Sequence, residues 1–138
     1  MRICIDSCVF IRGLRDPSTD AAQLLMQIRP ALELFVPRLV AAEVTRNLLF
    51  PSDLTRFYRL FHENRSAHII DGPIPKALFQ RYVDLGLRAK GDAYIGAFAE
   101  WLRVDYLISD NRHFLRHLHT EAYRLLTPAG FLEAVEPS

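Results

Sequence analysis

Four acidic residues of this chain fall where a bare charge is hard to accommodate. Asp6 closes the apolar run Ile3-Cys4-Ile5 and is followed by Ser7. Glu43 lies beside the apolar positions of "PRLVAAEVTRNLL", one turn after Leu39. Asp92 opens "GDAYIGAFAEWL", in line at helical spacing with Ile95, Gly96, Ala99 and Leu102. Asp110 directly follows the apolar stretch "YLIS". Carboxylates that converge repel one another, and some take up protons unless a cation intervenes. A hard divalent ion removes the conflict, and Mg²⁺ typically binds a few carboxylates while keeping several waters. Such an ion activates water and stabilises charge on a phosphoryl oxygen. An oxygen-only set without a Cys/His cluster therefore points to Mg²⁺ or Mn²⁺ and to phosphodiester hydrolysis. Each acid also has a purely structural reading. Asp6 could cap a turn, Glu43 could be solvated, Asp92 could suit a helix N-terminus, and Asp110 could form an Asx-turn or cap the next helix. What the structural readings explain poorly is that all four fall at strand ends or on adjoining helix turns.

Those positions depend on an alternating pattern. Residues 2–6 read as a short buried strand. "PSTDAAQLLMQIR" reads as a helix capped by Ser18 or Thr19. "ELFVP" is a second strand, and "PRLVAAEVTRNLL" a helix. "DLTRFYRLFHEN" is a helix with Ser52 or Asp53 as its expected cap, and "AHIID" a third strand. "PKALFQRYVDLGL" and "GDAYIGAFAEWLR" are helices separated near Lys90-Gly91. "DYLIS", "NRHFLRHL", "YRLLT" and "PAGFLEAV" complete the series as strand, helix, strand, helix, with Pro128 suited to a first turn. Short strands alternating with helices predict a three-layer α/β/α sandwich around a mostly parallel sheet of four or five strands. Sites in such folds form beyond the carboxyl ends of the strands. Asp6 and Asp110 occupy such ends, and parallel strands would bring the four acids to one edge.

Composition bounds the answer without choosing it. The 138 residues suffice for one domain spanning 1–138 with a sizeable core. A formal net charge of +1 gives no global signal for nucleic acid, so such a role would need a local basic patch. Of 17 basic residues only Lys76 and Lys90 are lysine, which supplies many forked donors suited to phosphate. Arg46, Arg112 and Arg116 lie close in sequence to the acids and are the candidates for RNA phosphates, with solvated surface as the plain alternative. The only cysteines, Cys4 and Cys8, are badly placed for a disulfide if the first ends a strand; free thiols in a reducing compartment are expected. No apolar run reaches membrane-span length and no signal-peptide pattern opens the chain, so a cytoplasmic protein without membrane association is expected. His113 and His117 have the i,i+4 spacing of a metal pair, but no Glu completes an HExxH pattern; a surface helix is the better reading.

"ICIDSCVF", "VPRLVAAEV" and "KGDAYIGAFAEWLRVDYLISDNRHF" resemble, in order and spacing over nearly the whole chain, the PIN domain family. Members are metal-dependent ribonucleases with a parallel sheet between helices. The resemblance implies that Asp6, Glu43, Asp92 and Asp110 are the catalytic, metal-binding quartet, with Mg²⁺ or Mn²⁺ as cofactor and RNA as substrate. It implies supporting roles for Ser7, after the first acid, and for Ser109, before the last. Members place the fourth acid or amide one or two residues after the Ser or Thr, so either Asp110 or Asn111 could face the metal. Cys8 departs from the pattern, standing where Asn or another small polar residue is common. The small single-domain members that this chain resembles are VapC-type toxins, each silenced by an antitoxin protein. Family pairing habits, with the aromatic-rich "DLTRFYRLFHEN", imply a homodimer; core packing of those aromatics is the alternative.

Two other readings remain. One is a PIN-fold RNA-processing nuclease without an antitoxin. The other is a non-catalytic α/β binding or regulatory module, such as a phospho-accepting receiver. Receivers need paired acids near the first strand and a Lys ending the last, whereas "RICIDS" supplies one acid and "YRLLTP" no Lys. A dehalogenase-type phosphatase would want an acid where Cys8 stands.

Overall fold

The computed structural model of the chain describes residues 1–87 and 90–135. Strands β1 (Arg2–Ile5), β2 (Glu33–Pro37), β3 (Ala67–Ile70), β4 (Tyr106–Ile108) and β5 (Arg124–Leu126) form one sheet in the order β3-β2-β1-β4-β5. Every pairing is parallel, with Cys4 opposite Phe35 on one side and Leu107 on the other. Parallel strands need crossovers, and helices supply them: α1 (Ser7–Arg15), α2 (Asp20–Leu25), α3 (Arg38–Asn47), α4 (Pro51–Glu63), α5 (Lys76–Asp84), α6 (Lys90–Trp101), α7 (Arg112–His117) and α8 (Pro128–Ala134). α1 packs on α2, α3 and α4, and α2 meets α8, while α5 pairs with α6, which packs on β4. The result is the predicted three-layer α/β/α sandwich. Its sheet is wholly rather than mostly parallel.

The central strand is buried on both faces. Ile3, Cys4 and Ile5 are fully inaccessible, as are Leu34, Val36, Leu107 and Ile108 beside them. Such continuous apolar runs are what a doubly covered parallel sheet requires. α6 is likewise apolar nearly all round, which suits a helix buried on most sides. Its small residues permit close approach: a Cβ on Gly96 would lie 2.7 Å from the Tyr82 ring of α5.

Several local expectations are corrected. Residues 7–15, which carry no expected element, form α1, whose buried Ser7, Val9, Phe10, Gly13 and Leu14 have helical spacing. Residues 2–6 were read as strand, but β1 stops at Ile5, because Asp6 already serves as the N-cap of α1. α2 covers only part of the expected helix, although Thr19 does cap it, accepting from the Ala22 amide. α4 starts at Pro51 after Phe50, with neither Ser52 nor Asp53 as cap; proline at the first helical position needs no donor of its own. α7 is capped by Asn111, not Asp110. Cys4 and Cys8 are free, as expected. Among the described residues no helix is long and apolar enough to cross a membrane.

Candidate active site

The strand order reverses direction at β1. From β1 the chain goes to β2 on one side, and it later returns to β4 on the other. Crevices of open parallel sheets lie at such a switch point, beyond the carboxyl ends of the diverging strands. Here a cleft of about 390 Å³ is lined by Asp6, Ser7, Cys8, Glu43, Gly91, Asp92, Ile95, Asp110 and Asn111. All four acids singled out in the sequence thus reach one cavity, from four places in the fold: the end of β1, the middle of α3, the first turn of α6 and the turn after β4.

Asp6 is the most rigidly held. Its backbone N–H donates to the Ile108 carbonyl at 2.9 Å, tying the end of β1 to β4. Its Oδ1 accepts from the Ser7 amide at 2.8 Å, and its Oδ2 accepts from the Ser109 hydroxyl at 2.8 Å. The residue is only 5% exposed. Burial pushes its carboxyl above the ordinary value; the hydrogen bonds from Ser109 and Ser7 oppose that, and the charges of Asp92 and Glu43 add to it. One carboxylate thus both caps α1 and faces the other acids. Ser109, itself fully buried, also accepts from the Asn111 amide at 3.0 Å. Cys8 places its sulfur 3.8 Å from both Asp6 Oδ2 and Ser109 Oγ, and burial with the Asp6 charge pushes its thiol up to about 11.

Asn111 has divided duties. Its Oδ1 accepts from the amides of His113 and Phe114, capping α7, while its Nδ2 lies 3.4 Å from both carboxylate oxygens of Asp92. Asp110 is gripped from outside the cleft by Arg12 of α1, Nε to Oδ2 at 2.9 Å and Nη2 to Oδ1 at 3.2 Å. Arg12 was not singled out in the sequence, because the helix that carries it was not. Glu43 is half-buried, and among the described residues no donor reaches its carboxylate. Arg46, Arg112 and Arg116 are exposed and do not line the cleft. The His113 and His117 rings pack together with centroids 4.5 Å apart, as neighbours on one helix face.

The donor chemistry suits a hard divalent ion: oxygen ligands, mutual repulsion expressed at Asp6, and no basic side chain among the described lining residues. The cage is not preassembled. Among the described residues, no three Asp, Glu, His or Cys side chains are grouped closely enough to hold a metal ion.

No curated protein sequence matches the chain. Several solved structures share its fold. The structure of VapBC2 from Rickettsia felis, bound to a DNA fragment from their promoter, matches with 14% identity and a TM-score of 0.63, over 92% of this chain and 98% of that one. FitAcB from Neisseria gonorrhoeae matches with 16% identity and a TM-score of 0.64, over 92% and 98%. PAE2754 from Pyrobaculum aerophilum matches with 17% identity and a TM-score of 0.62, over 97% and 94%. At these identities the similarity is one of fold. The sequence pattern of the PIN domain matches residues 3–118, from β1 through α7 with all four cleft acids inside it, and the chain belongs to the PIN domain family.

Proposed function

We propose that the cleft is the active site of a Mg²⁺- or Mn²⁺-dependent endoribonuclease, and that the protein is the toxin of a VapBC-type toxin–antitoxin pair acting in the cytoplasm. The observation that carries the reading is the meeting of Asp6, Glu43, Asp92 and Asp110 at the switch point of a parallel sheet. Asp6, Glu43 and Asp92 would hold the ion, with Asp110 at the edge of the set. Bound there, a divalent ion lowers the pKa of water and offsets charge developing on the phosphoryl oxygens. The chain's own residues supply positioning. Ser7 and Ser109 fix Asp6 through one oxygen each, and the Asn111 amide steadies Asp92. Hydrolysis adds a water oxygen to phosphorus and expels the ester oxygen, so one proton must leave the water and one must reach the leaving group. Glu43, whose carboxylate has no donor among the described residues, would take the water's proton on the oxygen that does not hold the ion, and solvent water would supply the leaving group's proton. Arg46, Arg112 and Arg116 remain candidates for RNA phosphates beyond the cleft, in keeping with their exposure.

The toxin assignment is supported by family membership and by fold similarity to structures of VapBC2 and FitAcB. An antitoxin and a second copy of the chain are the proposed protein partners. The deciding experiment is cleavage of total RNA with Mg²⁺ or Mn²⁺, repeated in EDTA. Cleavage is expected with either ion and none in EDTA, and undiminished cleavage in EDTA would refute the metal mechanism. Growth arrest on expression, relieved by the product of the adjoining gene, tests the toxin assignment. An active nuclease without such arrest would favour an RNA-processing role.

A further inference from the structure

Both residues that could supply a fourth ligand are already engaged. Arg12 binds Asp110 through two N–H groups, one to each carboxylate oxygen, so that a planar and permanently charged group lies against it, whereas the donors to Asp6 are neutral. The grip has its own anchor. Nη2 of Arg12 lies 2.5 Å from Oδ1 of Asp20, in the first turn of α2, as a close charge contact rather than an aligned hydrogen bond. α1 and α2 are in tight register there: a Cβ on Gly13 would come within 2.9 Å of the Ala21 carbonyl carbon and the Ala22 nitrogen. Arg12 is therefore held between acids from two different elements. Asn111 offers no substitute, because its oxygen is committed to the amides of α7 and its NH₂ faces Asp92.

We propose that Arg12 is a positioning residue that withholds Asp110 from the ion-binding set, so that the cleft takes one divalent ion on Asp6, Glu43 and Asp92. This inference rests on the metal-dependent reading given above. A pair of ions about 3.5–4 Å apart needs carboxylates to clamp both. An ion drawn to Asp110 would meet the Arg12 guanidinium, and like charges at close range repel, an effect that solvent weakens here because both side chains are about a third exposed.

The test counts bound ions directly. The full chain is titrated with Mn²⁺, and free Mn²⁺ is read by electron paramagnetic resonance. The parent is expected to bind one ion. Arg12→Met frees Asp110 and removes the opposing charge, so it should bind a second ion or bind the first roughly tenfold more tightly, the equivalent of about 1.4 kcal/mol. The double variant Arg12→Met/Asp110→Asn removes the pair without changing net charge, and it should return to the parent's count and affinity. The inference is overturned if Arg12→Met binds Mn²⁺ as the parent does. It is also overturned if the double variant binds roughly tenfold or more weakly than the parent, since Asp110 would then be a ligand. A parent that binds no Mn²⁺ would refute the metal reading itself, and this inference with it. If Arg12→Met does not fold, the charge-neutral double variant carries the test alone, because only Asp20, whose side chain is 37% exposed, then loses a charge partner.

Discussion

Replacing Asp6 by Asn separates the demands of folding from those of chemistry. The change keeps the shape of the side chain and the cap on α1, because Asn caps a helix about as well as Asp. The Ser7 amide still finds an oxygen. The other oxygen becomes an NH₂ group facing Ser109, whose hydroxyl can accept in place of donating. At worst one hydrogen bond is lost, about 1 kcal/mol. Against that loss stands the burial of a charge near two like charges. The Asp6 carboxyl is raised above 3.8 chiefly by burial, and the charges of Asp92 and Glu43 add to it. The folded parent therefore binds more protons than the unfolded chain between 3.8 and the raised value. Across that window its stability falls as pH rises, and outside it Asp6 contributes no slope. Asp6→Asn lacks this term. In EDTA, the variant is expected to melt within about 3–5 °C of the parent at the acid end and to gain on it as pH rises to neutrality. RNA cleavage should fall by a factor of about 100 or more, because one charge is lost from the ion's cradle. Thermal melts across pH, paired with cleavage assays at neutral pH, measure both. An active variant would show that Asp6 is only a cap. A variant that does not gain on the parent as pH rises would refute the electrostatic account.

Other perturbations probe the scaffold and its assembly. Gly96→Ala forces a methyl into the Tyr82 ring and should cost about 1–3 kcal/mol, seen as a lower denaturation midpoint with an unchanged slope. Phe57→Ala empties a fully buried site that packs edge-on against Phe10 and Phe61, and a loss of about 3–5 kcal/mol is expected by chemical denaturation. Light scattering at micromolar concentration should report a homodimer, and Tyr58→Arg, at a residue 45% exposed on α4, should shift it toward monomer.

Strands were legible because a doubly covered parallel sheet demands unbroken apolar runs, and "RICI", "ELFVP" and "YLI" are such runs. The acids were legible because each interrupts an apolar pattern at a place the fold makes an edge. α1 was not, although Val9, Phe10, Gly13 and Leu14 carry its periodicity: Asp6 reads as the possible cap of a turn, and the short apolar run after it does not by itself separate a turn from a helix. Arg12 was hidden for a different reason. Its partner Asp110 is 98 residues away, and such a pairing has no local signature. The aromatic stretch of α4 divided between the two readings, since Phe57 belongs to the core while Tyr58 stays exposed. Asn111 reads in the sequence as a possible ligand, and only the trajectory of α7 reveals that its side-chain oxygen accepts from two helix amides.

The central position of β1 has a temporal consequence. Its two neighbours arrive at very different moments of synthesis: Cys4 pairs with Phe35 soon after it is made, but with Leu107 only after most of the chain exists. Contacts of such long sequence separation are slow to form, and domains fold largely as units. A nascent chain that has reached α5 already carries Asp6 and Glu43, but it lacks Asp92 and Asp110, and the Ser109 hydroxyl that holds Asp6 does not yet exist. The edge that gathers the four acids is therefore completed only once α6 and β4 have been made. Under the proposed RNA-cleaving reading, this order of assembly delays activity until α6 and β4 have been made and folded.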